Sequence, residues 1–72
     1  MNVIKVIEVM ASSEQGWEDA ARNAVKSASK SVKGIRSVYI KEQSAVVDQN
    51  NITEFRVTCK LTFEVFESDS NA

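Results

Sequence analysis

The stretch Glu54-Phe55-Arg56-Val57-Thr58-Cys59-Lys60-Leu61-Thr62-Phe63-Glu64-Val65 alternates polar and apolar side chains without interruption. Successive side chains of a β-strand point to opposite faces, so this alternation predicts a long strand with one apolar and one polar face. Cys59 occupies an apolar position, and we interpret it as a small buried core residue rather than a reactive thiol. The apolar face requires a second layer to cover it.

The residues before this stretch predict a second strand and a tight turn. The strand is Ile35 to Val47, and the turn is Asp48-Gln49-Asn50-Asn51, because Asn tolerates left-handed backbone geometry. Two strands joined by so short a turn are antiparallel neighbours in a sheet.

This predicted hairpin assigns each strand residue to one face of the sheet. Gln43 is placed opposite Arg56, and Ser37 opposite Thr62. The apolar face is predicted to carry Val38, Ile40, Val46, Phe55, Val57, Leu61 and Phe63. The polar face is predicted to carry Ser37, Tyr39, Lys41, Gln43, Arg56, Thr58, Lys60 and Thr62. A slip of one residue would move every side chain of a strand to the other face.

The first half of the chain predicts a strand followed by a helix. Val3 to Met10 is rich in β-branched residues, which favours a strand. Ser12 and Gln15 then have the spacing of a helix capping box. Apolar residues at steps of three and four mark one helical stripe, comprising Trp17, Ala20, Ala21, Ala24, Val25, Ala28 and Val32. Trp17 is therefore interpreted as a core aromatic residue, and Gly34 as the left-handed residue after the helix.

The predicted order is β-α-β-β, which indicates an α+β subunit with a three-stranded antiparallel sheet in the order 1-3-2, partly wrapped around one helix. A helical crossover makes the first two strands parallel to each other, and the third lies antiparallel between them. Residues 1–66 form the predicted domain, and residues 67–72 a flexible polar tail.

The small size of the chain predicts self-association. A chain of 72 residues buries only about 60% of the surface that its unfolded form exposes. A single Cys excludes an internal disulfide, and the lack of His argues against structural zinc. Oligomerisation remains, through strand ends that overhang the helix and through unpaired outer strand edges.

The composition disfavours several classes of function. Without His or a Gly-rich phosphate loop, the chain is predicted to be non-enzymatic. A net charge of −1 gives no long-range attraction to nucleic acid or to an anionic membrane. An RNA-binding sheet needs an aromatic pair on its open face, and Tyr39 alone does not supply one. No signal peptide or membrane span is recognisable, and the lone Cys suits a reducing compartment, so a cytoplasmic location is predicted.

The charged residues allow two kinds of ion site besides a merely solvated surface. The basic group on the polar face is Lys41, Arg56 and Lys60. These side chains suit a phosphate or a carboxylate, with Arg56 as the bidentate donor. The acidic group is Glu42, Glu54, Glu64 and the carboxyl-terminal tail. One carboxylate repeated around a three-fold axis of an oligomer would make an oxygen site for Ca²⁺ or Mg²⁺.

Six short stretches, in order and at matching intervals, resemble the dodecin family. They are Val3–Val9, Trp17–Ala21, Asn23–Val25, Ala28–Lys30, Ile40–Gln43 and Phe55–Thr58. The resemblance covers nearly the whole chain. It implies a hollow homododecamer with its helices outward, which holds flavin ligands (riboflavin, FMN or lumichrome-like rings) in pairs at two-fold interfaces.

The same resemblance implies the ligand-binding residues Ser37, Glu42, Gln43 and Arg56. In the family, a Trp on the second strand stacks on the flavin ring and a Gln on the third strand bonds its polar edge. Those positions fall here on Ser37 and Arg56, whereas Glu42 and Gln43 match the family's acidic residue and its neighbour. Ser44 stands where some members carry an Arg. Loss of the stacking indole removes about 1–3 kcal/mol, by analogy with base stacking, and therefore tenfold or more in affinity.

Two functional hypotheses follow from these residues. The first is a dodecin-like, non-catalytic oligomer that binds and stores a small molecule, with flavin affinity weakened at Ser37 and Arg56. The alternative is a structural or calcium-associated dodecameric shell without flavin. Ser37 and Arg56 also resemble the branch of the family that lacks the stacking Trp and is discussed as calcium dodecin.

Overall fold

A computed structural model describes residues 2–66 and contains one helix and three strands in the predicted order. The elements are β1 (Asn2–Ser13), α1 (Trp17–Ala28), β2 (Ile35–Asp48) and β3 (Asn51–Phe66). The sheet order is β1-β3-β2, with both outer strands antiparallel to β3, so the predicted α+β topology is confirmed. The predicted tail, residues 67–72, lies outside the described residues. The described helix is too short and too polar to cross a membrane.

The core lies where α1 crosses the middle of β3. Its fully buried members, each at most 3% exposed, are Ala20, Ala24, Val57, Cys59 and Leu61. The two alanines let the helix approach the sheet closely, and Cys59 is buried as predicted. Five residues, two of them Ala, make a small core even for a chain of this size.

The strands are much longer than the helix. At about 3.3 Å per residue β3 spans roughly 50 Å, whereas α1 at 1.5 Å per residue spans about 18 Å. The molecule accordingly measures 60 × 19 × 13 Å. Most of β2 is exposed along its length. Both ends of the sheet therefore extend beyond the helix, as the sequence predicts.

The pairing of β2 with β3 contains a shift that the sequence does not predict. Ser37 lies opposite Thr62 as predicted, but the register moves by one residue between Ile40 and Glu42. Lys41 is the additional residue, and the irregularity is a β-bulge.

The bulge reverses the predicted faces from Glu42 to Val46, and a further shift before Val47 restores the predicted pairing, with Val47 opposite Ile52. Gln43 lies opposite Val57 rather than Arg56, and Ser44 is the true partner of Arg56. Gln43 therefore belongs to the helix side of the sheet, together with the buried Val57. Val46 is also misplaced by the prediction, because it pairs with Glu54 on the opposite face. The predicted faces of Ser37 to Ile40 on β2 and of the β3 residues are retained, although the register also shifts between Ile35 and Ser37.

The turn between β2 and β3 contains two residues rather than the predicted four. Gln49 and Asn50 adopt φ values of 51° and 67°, the left-handed pair that a tight two-residue hairpin turn requires. The predicted left-handed role of this segment is confirmed, although the strands continue to Asp48 and from Asn51.

The ends of α1 differ from the predicted ones. The capping position belongs to Gly16, which has no side chain to offer, and the helix ends at Ala28 rather than near Val32. Ser13, rather than Ser12, forms the hydrogen bonds at the start of the helix. Its Oγ accepts from the Gln15 N–H at 2.8 Å and donates to Asp19 Oδ2 at 2.6 Å. This local bond competes with the capping box because it closes the turn before the helix begins.

Gly34 has the predicted positive φ, 79°, but it lies well beyond the helix. A Cβ at this position would meet the backbone oxygen of Glu64 at 3.0 Å. The Glu64 N–H also donates to the Gly34 carbonyl oxygen at 3.0 Å. Gly34 is thus the point at which the chain leaving the helix approaches β3.

Candidate ligand-binding face

The sheet face opposite α1, called the open face below, has no covering element within residues 2–66. From β1 it carries Ile4, Val6, Glu8, Met10 and Ser12. From β2 it carries Ser37, Tyr39, Glu42, Ser44 and Val46. From β3 it carries Glu54, Arg56, Thr58, Lys60, Thr62 and Glu64.

Large apolar side chains stand exposed among the polar ones of this face. Met10 is 72% exposed, Tyr39 64%, Ile4 57% and Val6 56%. Apolar groups of this size are usually withdrawn from water, so a concentration of them on one face is typical of a contact or ligand surface.

Ser37 lies near one end of the open face and is engaged with a neighbour. Its hydroxyl is hydrogen-bonded to that of Thr62, directly across the strand pair. A serine in this position offers neither an aromatic plane nor a free hydroxyl to a flat ligand.

Arg56 lies in the other half of the open face. It is flanked by Ser12 on β1 and Ser44 on β2. Its Nε contacts Glu54 Oε1 at 3.3 Å, and both side chains of this pair are partly exposed. A shallow depression lies beside it, lined by Met10, Ala11 and Ser12.

The four predicted ligand residues do not converge within one chain. Glu42 is on the open face opposite Thr58, but Gln43 is on the helix side. Arg56 is six residues along β3 from Thr62, the partner of Ser37, which separates the two positions by roughly 20 Å. A ligand of flavin size that used both ends of this set would need a second copy of the chain.

Two further ion pairs lie on and beside the open face. Lys41 Nζ lies 3.3 Å from Glu8 Oε2, reaching across β3, and Arg36 lies 2.6 Å from Glu64 Oε1. Exposed pairs of this kind contribute little to stability. Glu42 has no ion-pair partner among residues 2–66.

No group of three His, Cys, Asp or Glu side chains within the described part of the chain is close enough to hold a metal ion. The predicted acidic residues Glu42, Glu54 and Glu64 are spread along the sheet instead. Any cation site built from these carboxylates would have to combine several copies of the chain.

Trp17 lies on the helix side and has a structural role. Its ring contacts Phe55 edge to face, with centroids 4.9 Å apart, and its indole N–H donates to the Ser44 carbonyl oxygen at 2.8 Å. These contacts support the structural interpretation of Trp17, but at 36% exposure the residue lies at the edge of the core rather than within it.

Sequence reasoning missed the two serines that flank Arg56. The spacing of Ser12 and Gln15 predicts a helix cap, whereas Ser12 continues the alternation of β1 and pairs with Arg56. Ser44 becomes a neighbour only through the bulge at Lys41. Pairing β1 with β3 by their two alternating patterns would have found Ser12, whereas the segment around Ser44 carries no such signal.

The fold and this face define a small α+β protein whose sheet presents a mixed apolar and charged surface that its own chain leaves uncovered. The dodecin family model matches residues 3–66, and the chain belongs to the dodecin family.

Known relatives and solved structures agree with this assignment. The calcium dodecin of Mycobacterium tuberculosis is 35% identical over 65 residues, covering 90% of this chain and 92% of the relative. A crystal structure described as the calcium-chelating immunodominant antigen, calcium dodecin, of that organism is 34% identical, with a TM-score of 0.78 and coverage of 93% and 96% of the two chains. The dodecin of Streptomyces coelicolor is 27% identical, with a TM-score of 0.87 and the same coverage.

Proposed function

We propose that the chain is a non-catalytic subunit of a homododecameric shell that binds and stores a small molecule, with weak or no affinity for flavin. The observation that carries the proposal is the roughly 20 Å separation of Ser37 and Arg56 along one open face. Residues that the family uses at one ligand lie too far apart in a single chain, so the site is completed by another copy.

The energetics of the fold support self-assembly. The buried core is small, and four large apolar side chains are more than half exposed on the open face. Burial of apolar surface contributes about 25 cal/mol per Å², so packing part of this face against other copies would supply stability that one chain lacks. The free outer edges of β1 and β2 offer further places for contact.

The local chemistry supports weak flavin binding. The Ser37 hydroxyl is bonded to Thr62 and offers no ring. Arg56 replaces a neutral amide by a cation that already contacts Glu54. A flat neutral ring would therefore lose its stacking partner and meet a hydrated charge that is costly to desolvate. The lone buried Cys59 is compatible with the reducing cytoplasm, where we place the assembly.

A second candidate is a calcium-associated shell. Its support is the similarity to proteins described as calcium dodecin and as calcium-chelating. Glu42 is exposed and has no ion-pair partner among residues 2–66, so its carboxylate is available to a shared site. Copies arranged around a symmetry axis would bring such carboxylates together, and oxygen ligands suit Ca²⁺.

Two titrations separate these functions. Riboflavin fluorescence should show little quenching by the protein in the micromolar range, and tight quenching would contradict the weak-affinity part of the proposal. Calcium titration by calorimetry, with Glu42→Gln as the matched variant, should give heat that the variant abolishes if the calcium candidate is correct. An absence of heat in the unmodified protein would exclude that candidate.

A further inference from the structure

A cross-strand row of donors lies on the open face at Ser12, Arg56 and Ser44. Arg56 on the central strand β3 is directly opposite Ser12 on β1 and Ser44 on β2. Neighbouring strands are about 4.8 Å apart, and Ser12 lines the same surface depression as Arg56, whereas Ser44 lies on the other side of Arg56. Neither serine hydroxyl has a hydrogen-bond partner within residues 2–66.

Both serines are held from the other side of the sheet by side chains of α1. The Asn23 amide donates to the Ser12 carbonyl oxygen at 3.0 Å. The Trp17 indole donates to the Ser44 carbonyl oxygen at 2.8 Å. These bonds fix the backbone at the two outer positions of the row while leaving the hydroxyls on the open face. A site positioned in this way loses little conformational freedom on binding.

The guanidinium of Arg56 is held on one edge only. Glu54 contacts its Nε at 3.3 Å, and the structure records no partner for the two terminal nitrogens among the described residues. The depression beside Arg56 is lined by this residue together with Met10, Ala11 and Ser12. An anion entering it would meet the terminal N–H groups and the Ser12 hydroxyl.

We infer that this row is a binding site for a phosphate monoester, with Arg56 and Ser12 holding the phosphate and Met10 contacting the organic part. A phosphate has three oxygens that suit the bidentate fork of Arg and a further hydroxyl donor. Met10 is 72% exposed beside the depression, and a flexible thioether adapts to varied apolar groups.

This inference rests on the proposed function, since it names the class of small molecule that the shell holds. It differs from that function in one respect: the row lies within a single chain. The site can therefore be tested whether or not the copies assemble.

The test is calorimetric titration of the protein with phenyl phosphate, inorganic phosphate and phenol. Phenyl phosphate should bind most tightly, inorganic phosphate more weakly, and phenol not measurably. Arg56→Gln should weaken the binding of phenyl phosphate at least tenfold, and Ser12→Ala should weaken it severalfold. The affinity of Arg56→Lys for phenyl phosphate should lie between those of Arg56→Gln and the unmodified protein, because Lys retains the charge but lacks the bidentate geometry of the guanidinium. Glu54→Gln should strengthen binding, since it removes a neighbouring negative charge.

Arg22→Gln is the matched control, because Arg22 also pairs with a carboxylate, Glu18, but lies on the helix. It should bind phenyl phosphate like the unmodified protein. Equal loss in Arg22→Gln and Arg56→Gln, or no binding by folded protein, would overturn the site. Native mass spectrometry of the same samples separates the two proposals. Binding of phenyl phosphate by a monomer would support the proposed phosphate site and contradict the dodecameric shell. An assembled protein that does not bind phenyl phosphate would overturn the phosphate site alone.

Discussion

The indole N–H of Trp17 donates a 2.8 Å hydrogen bond to the carbonyl oxygen of Ser44. This bond joins the first residue of α1 to the half of β2 that follows the bulge at Lys41. The Trp17 ring also packs edge to face on Phe55 of β3. A single side chain thus contacts both strands of the hairpin and holds them in the shifted register.

Replacement of Trp17 should separate these two contributions. Trp17→Phe keeps a ring beside Phe55 but loses the bond to Ser44, so we expect the free energy of unfolding to fall by about 1 kcal/mol. Trp17→Ala loses both the ring and the bond. Its free energy of unfolding should fall by about 2–3 kcal/mol, which is modest for a Trp because the side chain is only partly buried. Urea unfolding followed by circular dichroism at fixed protein concentration measures both. Equal stability of the two variants would mean that the ring contributes nothing.

Gly34 and Gly16 should respond differently to the same substitution. Gly34→Ala places a Cβ 3.0 Å from the Glu64 backbone oxygen at a φ of 79°, so the unfolding free energy should fall by more than about 1 kcal/mol. Gly16→Ala meets no atom within 4 Å and has an extended φ, so it should lose only the preference for Gly over Ala at an N-cap, about 0.5–1 kcal/mol, and cost less than Gly34→Ala. The same thermal or urea experiment compares them. A neutral Gly34→Ala would show that the approach to β3 is not constrained.

The buried thiol should make stability fall at alkaline pH. Burial raises the pKa of Cys59 above its ordinary value, which is about 8.5 in an unfolded chain. Above that pH the unfolded chain releases a proton that the native state retains, so stability is lost as pH rises through the native pKa. Unfolding midpoints measured between neutral pH and about pH 10 should therefore decline less steeply in Cys59→Ala. Identical slopes in the two proteins would contradict this account.

An aromatic ring at position 37 should restore affinity for flavin. Ser37→Trp breaks the bond to Thr62 but supplies a stacking surface worth about 1–3 kcal/mol, so riboflavin should bind roughly five- to 150-fold more tightly. Ser37→Ala is the matched control, because it removes the hydroxyl without adding a ring, and it should show no gain. Fluorescence quenching of riboflavin measures both variants. No gain in Ser37→Trp would show that the open face does not form a flavin site.

Much of the fold is predictable because the pattern of β3 is unambiguous. Its alternation places Val57, Cys59 and Leu61 in the core, and the apolar stripe of α1 supplies Ala20 and Ala24 to cover them. The sheet order then follows from the crossover connection. These features depend on periodic patterns that extend over many residues, so a single atypical residue does not change the prediction.

The bulge at Lys41 is not predictable in the same way. Glu42, Gln43 and Ser44 are all polar, so either register leaves a polar residue on each face and the composition does not choose between them. The register is instead determined by a tertiary contact, because the Ser44 carbonyl oxygen accepts a hydrogen bond from the Trp17 indole. For the same reason the sequence predicts Ser37 opposite Thr62, before the bulge, but not Ser44 opposite Arg56, after it.

The solution mass tests the central claim most directly, because only assembly can bring Ser37 of one copy near Arg56 of another. Light scattering coupled to size-exclusion chromatography should give roughly 96 kDa for twelve copies of the 8.0 kDa chain. The value should not change on dilution through the micromolar range. A mass of one or two chains under these conditions would contradict the shell.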